Sequence, residues 1–147
     1  MTDSLSFAPA TKSDAEQLVA LRIAAMRESL ERIGRFDPQR ARERFLESFD
    51  PAVTRHILQD GQRVGFVVAR PHADYLFLNH LYIMPGFQGR GIGAWTLQAV
   101  FAEADALGLP VKVGALRGSD SNRFYHRHGF VLTLEDEFDR YYVRAAH

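Results

Sequence analysis

The sequence predicts an α/β protein of the α+β kind, with about seven strands and four helices. Three observations predict it. The hydrophobic period switches repeatedly between two residues and about 3.6 along the chain. Gly34, Gly61, Pro71, Pro85 and Gly108 fall between successive periodic segments. A chain of 147 residues, 46% of them hydrophobic, can bury one core, so a single domain over residues 1–147 is expected.

The elements follow in order. Residues 5–7 alternate briefly as a strand. Ser13 and Glu16 then have capping-box spacing for a first helix, along which Val19, Ile23, Met26 and Leu30 recur on one face. After Gly34, Asp37-Pro38 reads as an N-cap with proline at the first helical position, and Phe45, Leu46 and Phe49 form the buried stripe of a second helix. Residues 53–58 and 63–69 are strands joined by the hairpin dipeptide Asp60-Gly61. Residues 75–83 form a nearly unbroken apolar run between Pro71 and Pro85, the pattern of a central strand buried on both faces. Leu97, Val100, Phe101, Ala104 and Leu107 mark a long helix ending at Gly108, with Pro110 beyond it. A strand at 111–116, a short helix at 119–128 and strands at 130–134 and 138–143 complete the chain.

Composition narrows the function. Eighteen basic residues balance eighteen acidic ones, so there is no net positive field to hold nucleic acid. The absence of cysteine excludes a disulfide framework, a thiol nucleophile and the usual structural zinc sites. No apolar run approaches the ~18 residues of a membrane helix, and residues 1–10 do not resemble a signal. The expectation is a soluble cytoplasmic protein without membrane or nucleic-acid partners.

Between the central strand and the long helix lies Gln88-Gly89-Arg90-Gly91-Ile92-Gly93. A helix N-terminus offers free N–H groups and about half a positive charge, suited to a pyrophosphate. Glycines admit the phosphate oxygens, and Arg90 adds a cation. The glycines alternate at 89, 91 and 93, unlike the G-x-G-x-x-G dinucleotide fingerprint, and no Gly-Lys-Ser/Thr follows as in a Walker loop.

The run Leu81-Tyr82-Ile83-Met84-Pro85-Gly86-Phe87-Gln88-Gly89-Arg90-Gly91-Ile92-Gly93 resembles the acetyl-CoA-binding motif of GNAT acetyltransferases, Gln/Arg-x-x-Gly-x-Gly/Ala, which Gln88, Gly91 and Gly93 meet. Downstream, Phe124-Tyr125-His126-Arg127-His128-Gly129-Phe130 is similar to the family's Phe/Leu-Tyr-x-x-x-Gly-Phe segment. Over residues 1–70 only the order of elements agrees. The resemblance implies the GNAT fold, a central mixed, mostly antiparallel twisted sheet of about seven strands flanked by four helices. It also implies acetyl-CoA as co-substrate, no metal, and transfer to a primary amine of a small molecule, amino acid or peptide by direct attack in a ternary complex.

The same resemblance assigns roles to residues. Tyr125 becomes the general acid, since a phenol titrating near ~10 can protonate a thiolate whose thiol titrates near ~8.5. Backbone N–H groups of Leu81, Tyr82 and Ile83 serve the oxyanion, and the segment from Gln88 to Gly93 holds the pyrophosphate. Asn79 faces the amine where better-known members carry Glu, Asp or His. Asparagine can orient an acceptor or a water but cannot take its proton. His80, on the other face of the strand, can accept one, or it is a core histidine. Asp139, Glu28 and Glu31 are further carboxylates on the acceptor side. Gly118 stands where many members have a cofactor-touching Asn, which leaves Ser119 and Asn122 as polar candidates or as cap and turn residues. Arg35 and Phe36, on the loop between the first two helices, are expected to line the acceptor pocket beside Asn79. A non-catalytic acyl-CoA-binding regulatory module is the alternative, and homodimerisation through the last strands is left open. Acetylation of charged tRNA would call for a basic surface, and the zero net charge argues against it.

Overall fold

The computed structural model describes residues 4–147. The strands are β1 (Leu5–Pro9), β2 (Thr54–Gln59), β3 (Gln62–Pro71), β4 (Leu76–Ile83), β5 (Val111–Leu116), β6 (Val131–Glu135) and β7 (Asp139–Arg144). They form one seven-stranded sheet in the order β1-β2-β3-β4-β5-β7-β6. It is mixed: β4 and β5 run parallel, whereas β1–β2, β2–β3, β5–β7 and β6–β7 are antiparallel. The helices are α1 (Ala15–Arg32), α2 (Pro38–Ser48), α3 (Ile92–Leu107) and α4 (Ser121–Arg127). Seven strands, four helices and their order agree with the sequence-based expectation. The chain divides into two compact units, one up to Val68 with His80–Gly93, the other Ala69–Asn79 with Ala94–His147.

In the first unit, Asp60 and Gly61 turn the β2–β3 hairpin with φ of 51° and 83°, the left-handed pair that matches the twist of the flanking strands. Between Ile57 and Leu58 the register slips by one, so Val64 is an extra residue on β3. Its carbonyl accepts from the Met84 N–H at 2.8 Å. The core gathers Leu18, Val19 and Leu21 of α1, Phe45 of α2, and Phe66 and Val68 of β3, with Ile23, Tyr82 and Met84 against them. The buried stripe of α1 is therefore rotated from the one read by periodicity, which included Met26 and Leu30. Asp37 caps α2 as expected, its carboxylate accepting from the Arg40 N–H at 3.1 Å with Pro38 next in the chain.

The start of α1 differs from the expectation. The capping box is Thr11 and Asp14, around a 3-10 turn over Lys12–Asp14, rather than Ser13 and Glu16. The Asp14 carboxylate accepts from the Thr11 N–H at 2.8 Å and hydroxyl at 3.1 Å, and contacts Nε2 of buried His56 at 2.9 Å. Glu16 instead pairs with Arg42, tying α1 to α2. The Thr11 N–H, and then His56, hold the Asp14 carboxyl below the usual carboxylate value. A carboxylate lowered on folding stabilises the protein above its unfolded pKa, and that contribution disappears as pH falls through the folded one. Asp14→Asn should accordingly cost on the order of 1 kcal/mol at neutral pH, as for a partly exposed charge-assisted hydrogen bond. The difference in melting temperature from wild type should shrink steadily from pH 5 to pH 3. An equal difference at both ends would show that the charge plays no part.

In the second unit, β5 pairs with β4 through Leu76–Val111 and Leu78–Val113, and with β7 over its full length. Leu76, Leu78, Val111, Val113, Ala115, Leu97, Val100, Phe101, Ala104, Phe130 and Tyr142 are buried. Gly108, at φ 69°, closes α3, with the Leu109 N–H donating to the Ala104 carbonyl at 2.9 Å. Arg144 of β7 binds Asp105 of α3 at 2.8 Å, with its guanidinium 4.1 Å from the Phe101 ring centroid. Among the described residues no helix is long and apolar enough to cross a membrane.

Candidate active site

The glycine-rich turn is built by its backbone angles. β4 ends at Ile83, a 3-10 turn covers Pro85–Phe87, and α3 begins at Ile92. Gly89 and Gly91 have φ of 77° and 80°, while the residue between them, Arg90, is not left-handed. Left-handed residues alternating with others belong to the backbone type from which anion-binding nests are built. No atom lies within 4 Å of a Cβ built on either glycine. Conformation, and not crowding within the protein, is what requires glycine there. Gln88 braces the turn: its side-chain amide donates to the Ile83 carbonyl at 3.0 Å. Ile92, 2% exposed, anchors the first turn of α3, and the exposed Arg90 guanidinium lies 5.1 Å from the Phe87 ring centroid.

At the end of β4, the residues met by the first two helices are His80 and Tyr82. The Phe45 ring of α2 is 5.4 Å from the His80 ring, and the Arg22 guanidinium of α1 is 5.9 Å from the Tyr82 ring. Asn79 itself is exposed, which interrupts the both-faces-buried pattern expected for the strand. Arg35 is exposed, and its N–H donates to the Leu30 carbonyl at 2.9 Å, closing α1. The half-buried Phe36 ring lies 5.0 Å from the Arg27 guanidinium.

In the second unit, Tyr125 is 6% exposed on α4. Its ring packs edge-on to Phe130 at 5.3 Å and lies 6.3 Å from Tyr142. Gly129, at φ 91°, lets the chain fold back so that the Phe130 N–H donates to the Tyr125 carbonyl at 3.1 Å. The Gly-Phe pair thus fixes the orientation of the tyrosine. Asn122 acts as a bracket, its amide donating to the Leu116 and Ser119 carbonyls at 2.9 and 3.0 Å and accepting from the Tyr142 hydroxyl at 2.7 Å. The Ser119 hydroxyl donates to the Leu116 carbonyl at 2.8 Å. These bonds give both residues a structural role.

A family model for the acetyltransferase (GNAT) domain matches residues 53–132, more than half of the chain and inclusive of both the glycine-rich turn and Tyr125. The chain belongs to the GNAT acetyltransferase family. Several solved structures share the fold of this GNAT protein. The PaiA N-acetyltransferase of Thermoplasma acidophilum, in complex with coenzyme A, is 16% identical with a TM-score of 0.79, over 97% of this chain and 99% of that one. An acetyltransferase of Thermus thermophilus is 24% identical with a TM-score of 0.74, over 97% of each chain. N-acetylglutamate synthase of Neisseria gonorrhoeae, complexed with coenzyme A and N-acetyl-glutamate, is 18% identical with a TM-score of 0.71, over 100% of this chain and 36% of that one. No curated protein sequence matches significantly.

Two residues of this GNAT protein escape a reading of its motifs. Gly65 of β3 is buried, and a Cβ built on it would lie 2.4 Å from the Tyr82 carbonyl oxygen. Arg22 is half-buried between α1 and α2, with its Nε fully buried. A signal for Arg22 does exist, because a cation flanked by Leu21 and Ile23 has no carboxylate three or four positions away on its helix.

Proposed function

We propose that residues 1–147 form one N-acetyltransferase domain, which transfers the acetyl group of acetyl-CoA to a primary amine of a small molecule, amino acid or peptide by direct attack in a ternary complex. The family match across the turn and the Tyr125 segment carries this reading. It is supported by the coenzyme A complexes of the Thermoplasma and Neisseria proteins. The N–H groups from Gly89 to Gly93, with Arg90, receive the pyrophosphate. Those of Leu81, Tyr82 and Ile83 polarise the thioester carbonyl as it becomes an oxyanion. Tyr125 gives a proton to the departing thiolate. His80, or a water ordered by Asn79, takes the proton of the amine. Glu28 and Glu31 are less suited to that task, being engaged with Arg32 at 3.5 Å and Arg27 at 2.8 Å. Ser119 and Asn122 orient α4 through their internal bonds, and the Ser119 hydroxyl, which donates only once, keeps an acceptor site for the cofactor. Arg35 and Phe36 border the acceptor.

Thiol release from acetyl-CoA with a panel of primary amines, followed by mass spectrometry of the acceptor, tests the reading. An N-acetylated product is expected. Saturable binding of acetyl-CoA with no turnover across the panel would favour the alternative, a regulatory acyl-CoA-binding module. A cytoplasmic location belongs to the same proposal. So does a homodimer, for which the exposed Val131, Leu132 and Leu134 of the edge strand β6 provide an apolar surface. Sedimentation velocity decides the latter.

The turn has its own test. Gly91→Val should abolish measurable CoA binding, but a branched residue at φ 80° also strains the folded state by about 1–2 kcal/mol. Arg90→Ala leaves the backbone untouched and should weaken CoA about tenfold, the loss of one charge-assisted contact at an exposed position. Calorimetry showing wild-type affinity in both folded variants would remove the turn from the cofactor site.

A further inference from the structure

Arg27, Arg32, Arg42, Arg140 and Arg144 each lie against a carboxylate, of Glu31, Glu28, Glu16, Glu135 and Asp105 respectively. Arg22 differs. Its neighbours one turn away on α1 are Leu18, Val19, Ala25 and Met26, and among the described residues it has no ion pair. One Nη1 bond runs to the Ala41 carbonyl of α2, at a long 3.4 Å. Nε is buried without a hydrogen-bond partner. The guanidinium lies 5.9 Å from the Tyr82 ring, beside the apolar cluster of Leu18, Phe45 and Phe66.

A half-buried guanidinium with a buried donor left unused is costly, because desolvation of the donor is not repaid by any acceptor. A shorter apolar side chain would pack this position at lower cost. Its planar fork of donors matches a carboxylate, which it can hold through two parallel hydrogen bonds. The low-dielectric surroundings of Phe45 and Phe66 strengthen such a contact. The Tyr82 ring that it faces lies in turn 5.6 Å from the His80 ring, and to His80 and the Tyr82 N–H the proposed mechanism assigns proton acceptance and oxyanion stabilisation.

We infer that Arg22 is the anchor for a carboxylate group of the acceptor, so that the amines this protein acetylates are themselves carboxylates, amino acids above all, rather than neutral amines or polyamines. The inference rests on the acetyltransferase reading for the word acceptor, but the carboxylate site is testable without turnover. Its occupant supplies the carboxylate that Arg22 lacks one turn away on α1.

The test is calorimetric, on the full chain saturated with CoA, using a panel of free amino acids and the corresponding C-terminal amides. Wild type is expected to bind at least one free amino acid ten-fold or more tighter than its amide. Arg22→Met should bind the two forms equally, and Arg22→Gln, which keeps a donor toward the Ala41 carbonyl without the charge, should do the same. Melting temperatures of both variants separate this from a folding defect, since a purely structural arginine would alter stability and leave the preference intact. Equal binding of acid and amide by wild type overturns the inference, as does a preference that survives in either folded variant. Carboxylate binding that depends on Arg22, together with no thiol release from acetyl-CoA for any acceptor, would uphold the anion site and overturn the acetyltransferase reading instead.

Discussion

Tyr125→Phe is expected to lower kcat for acetyl transfer by about one to four orders of magnitude while leaving acetyl-CoA affinity nearly unchanged, general acid catalysis being typically worth ~10²–10⁴. The hydroxyl acts on charge that develops only as the thioester breaks, and an interaction made in the transition state alone affects kcat rather than binding. The substitution is well controlled because the ring contacts to Phe130 at 5.3 Å, Phe124 at 5.5 Å and Tyr142 at 6.3 Å are apolar and survive it. The Phe130 N–H still meets the residue-125 carbonyl, so the helix end should not move. Circular dichroism and melting temperature establish that the fold is intact. A comparison of kcat across pH with one identified acceptor then decides: wild-type kcat at every pH in Tyr125→Phe would leave the tyrosine a packing residue.

The order of elements was legible because each depends on local chemistry. Asp60-Gly61 can adopt the left-handed pair a tight hairpin needs, Asp37-Pro38 can cap a helix, and Gly108 can close one. What sequence could not show was which local option wins when two compete. Ser13 and Glu16 have the spacing of a cap, yet Thr11 and Asp14 form it, because His56, forty-two residues away, has a ring that reaches Asp14. Glu16 is drawn instead to Arg42 on the next helix. Likewise local spacing gave no sign that Asn122 would accept from the Tyr142 hydroxyl of β7.

The candidate site was legible where its chemistry is in the backbone. Gly89 and Gly91 adopt the conformations that only glycine takes readily, and Gly129 does the same behind Tyr125. The acceptor side was much less so. The family resemblance placed Asn79 toward the amine, and the side chains of the strand that α1 and α2 meet are His80 and Tyr82. Which face of a strand a helix covers is a tertiary decision, made here by the packing of Phe45 against Phe66 and His80.

Gly65→Ala is expected to destabilise the protein by about 1–3 kcal/mol, the range for overpacking a well-filled interior. For a domain of this size that corresponds to a melting temperature lower by roughly 2–12 °C. The new Cβ would lie 2.4 Å from the Tyr82 carbonyl oxygen and 3.3 Å from the Ile83 Cα, and those are backbone atoms that no rotamer change can move aside. The φ of Gly65 is not left-handed, so alanine meets no conformational obstacle and the clash alone is measured. Alanine also restricts the unfolded chain, worth ~0.4–1 kcal/mol in the opposite direction, so the observed loss is a lower bound on the strain. Relief requires the end of β4 to move away from β3, working against the Met84 N–H bond to the Val64 carbonyl at 2.8 Å. Such a movement shifts the N–H groups of Tyr82 and Ile83 proposed for the oxyanion, and through the Ile83 carbonyl it also shifts the anchor of Gln88. Activity should therefore fall even at temperatures where the variant is fully folded. Gly114→Ala is the control, since its Cβ would meet only the Tyr141 ring, at 3.1 Å, which can yield by a few tenths of an ångström. A Gly65→Ala protein that melts with wild type and turns over at the wild-type rate would mean that β3 and β4 can separate at no cost, and that the close approach at Tyr82 does not hold the site.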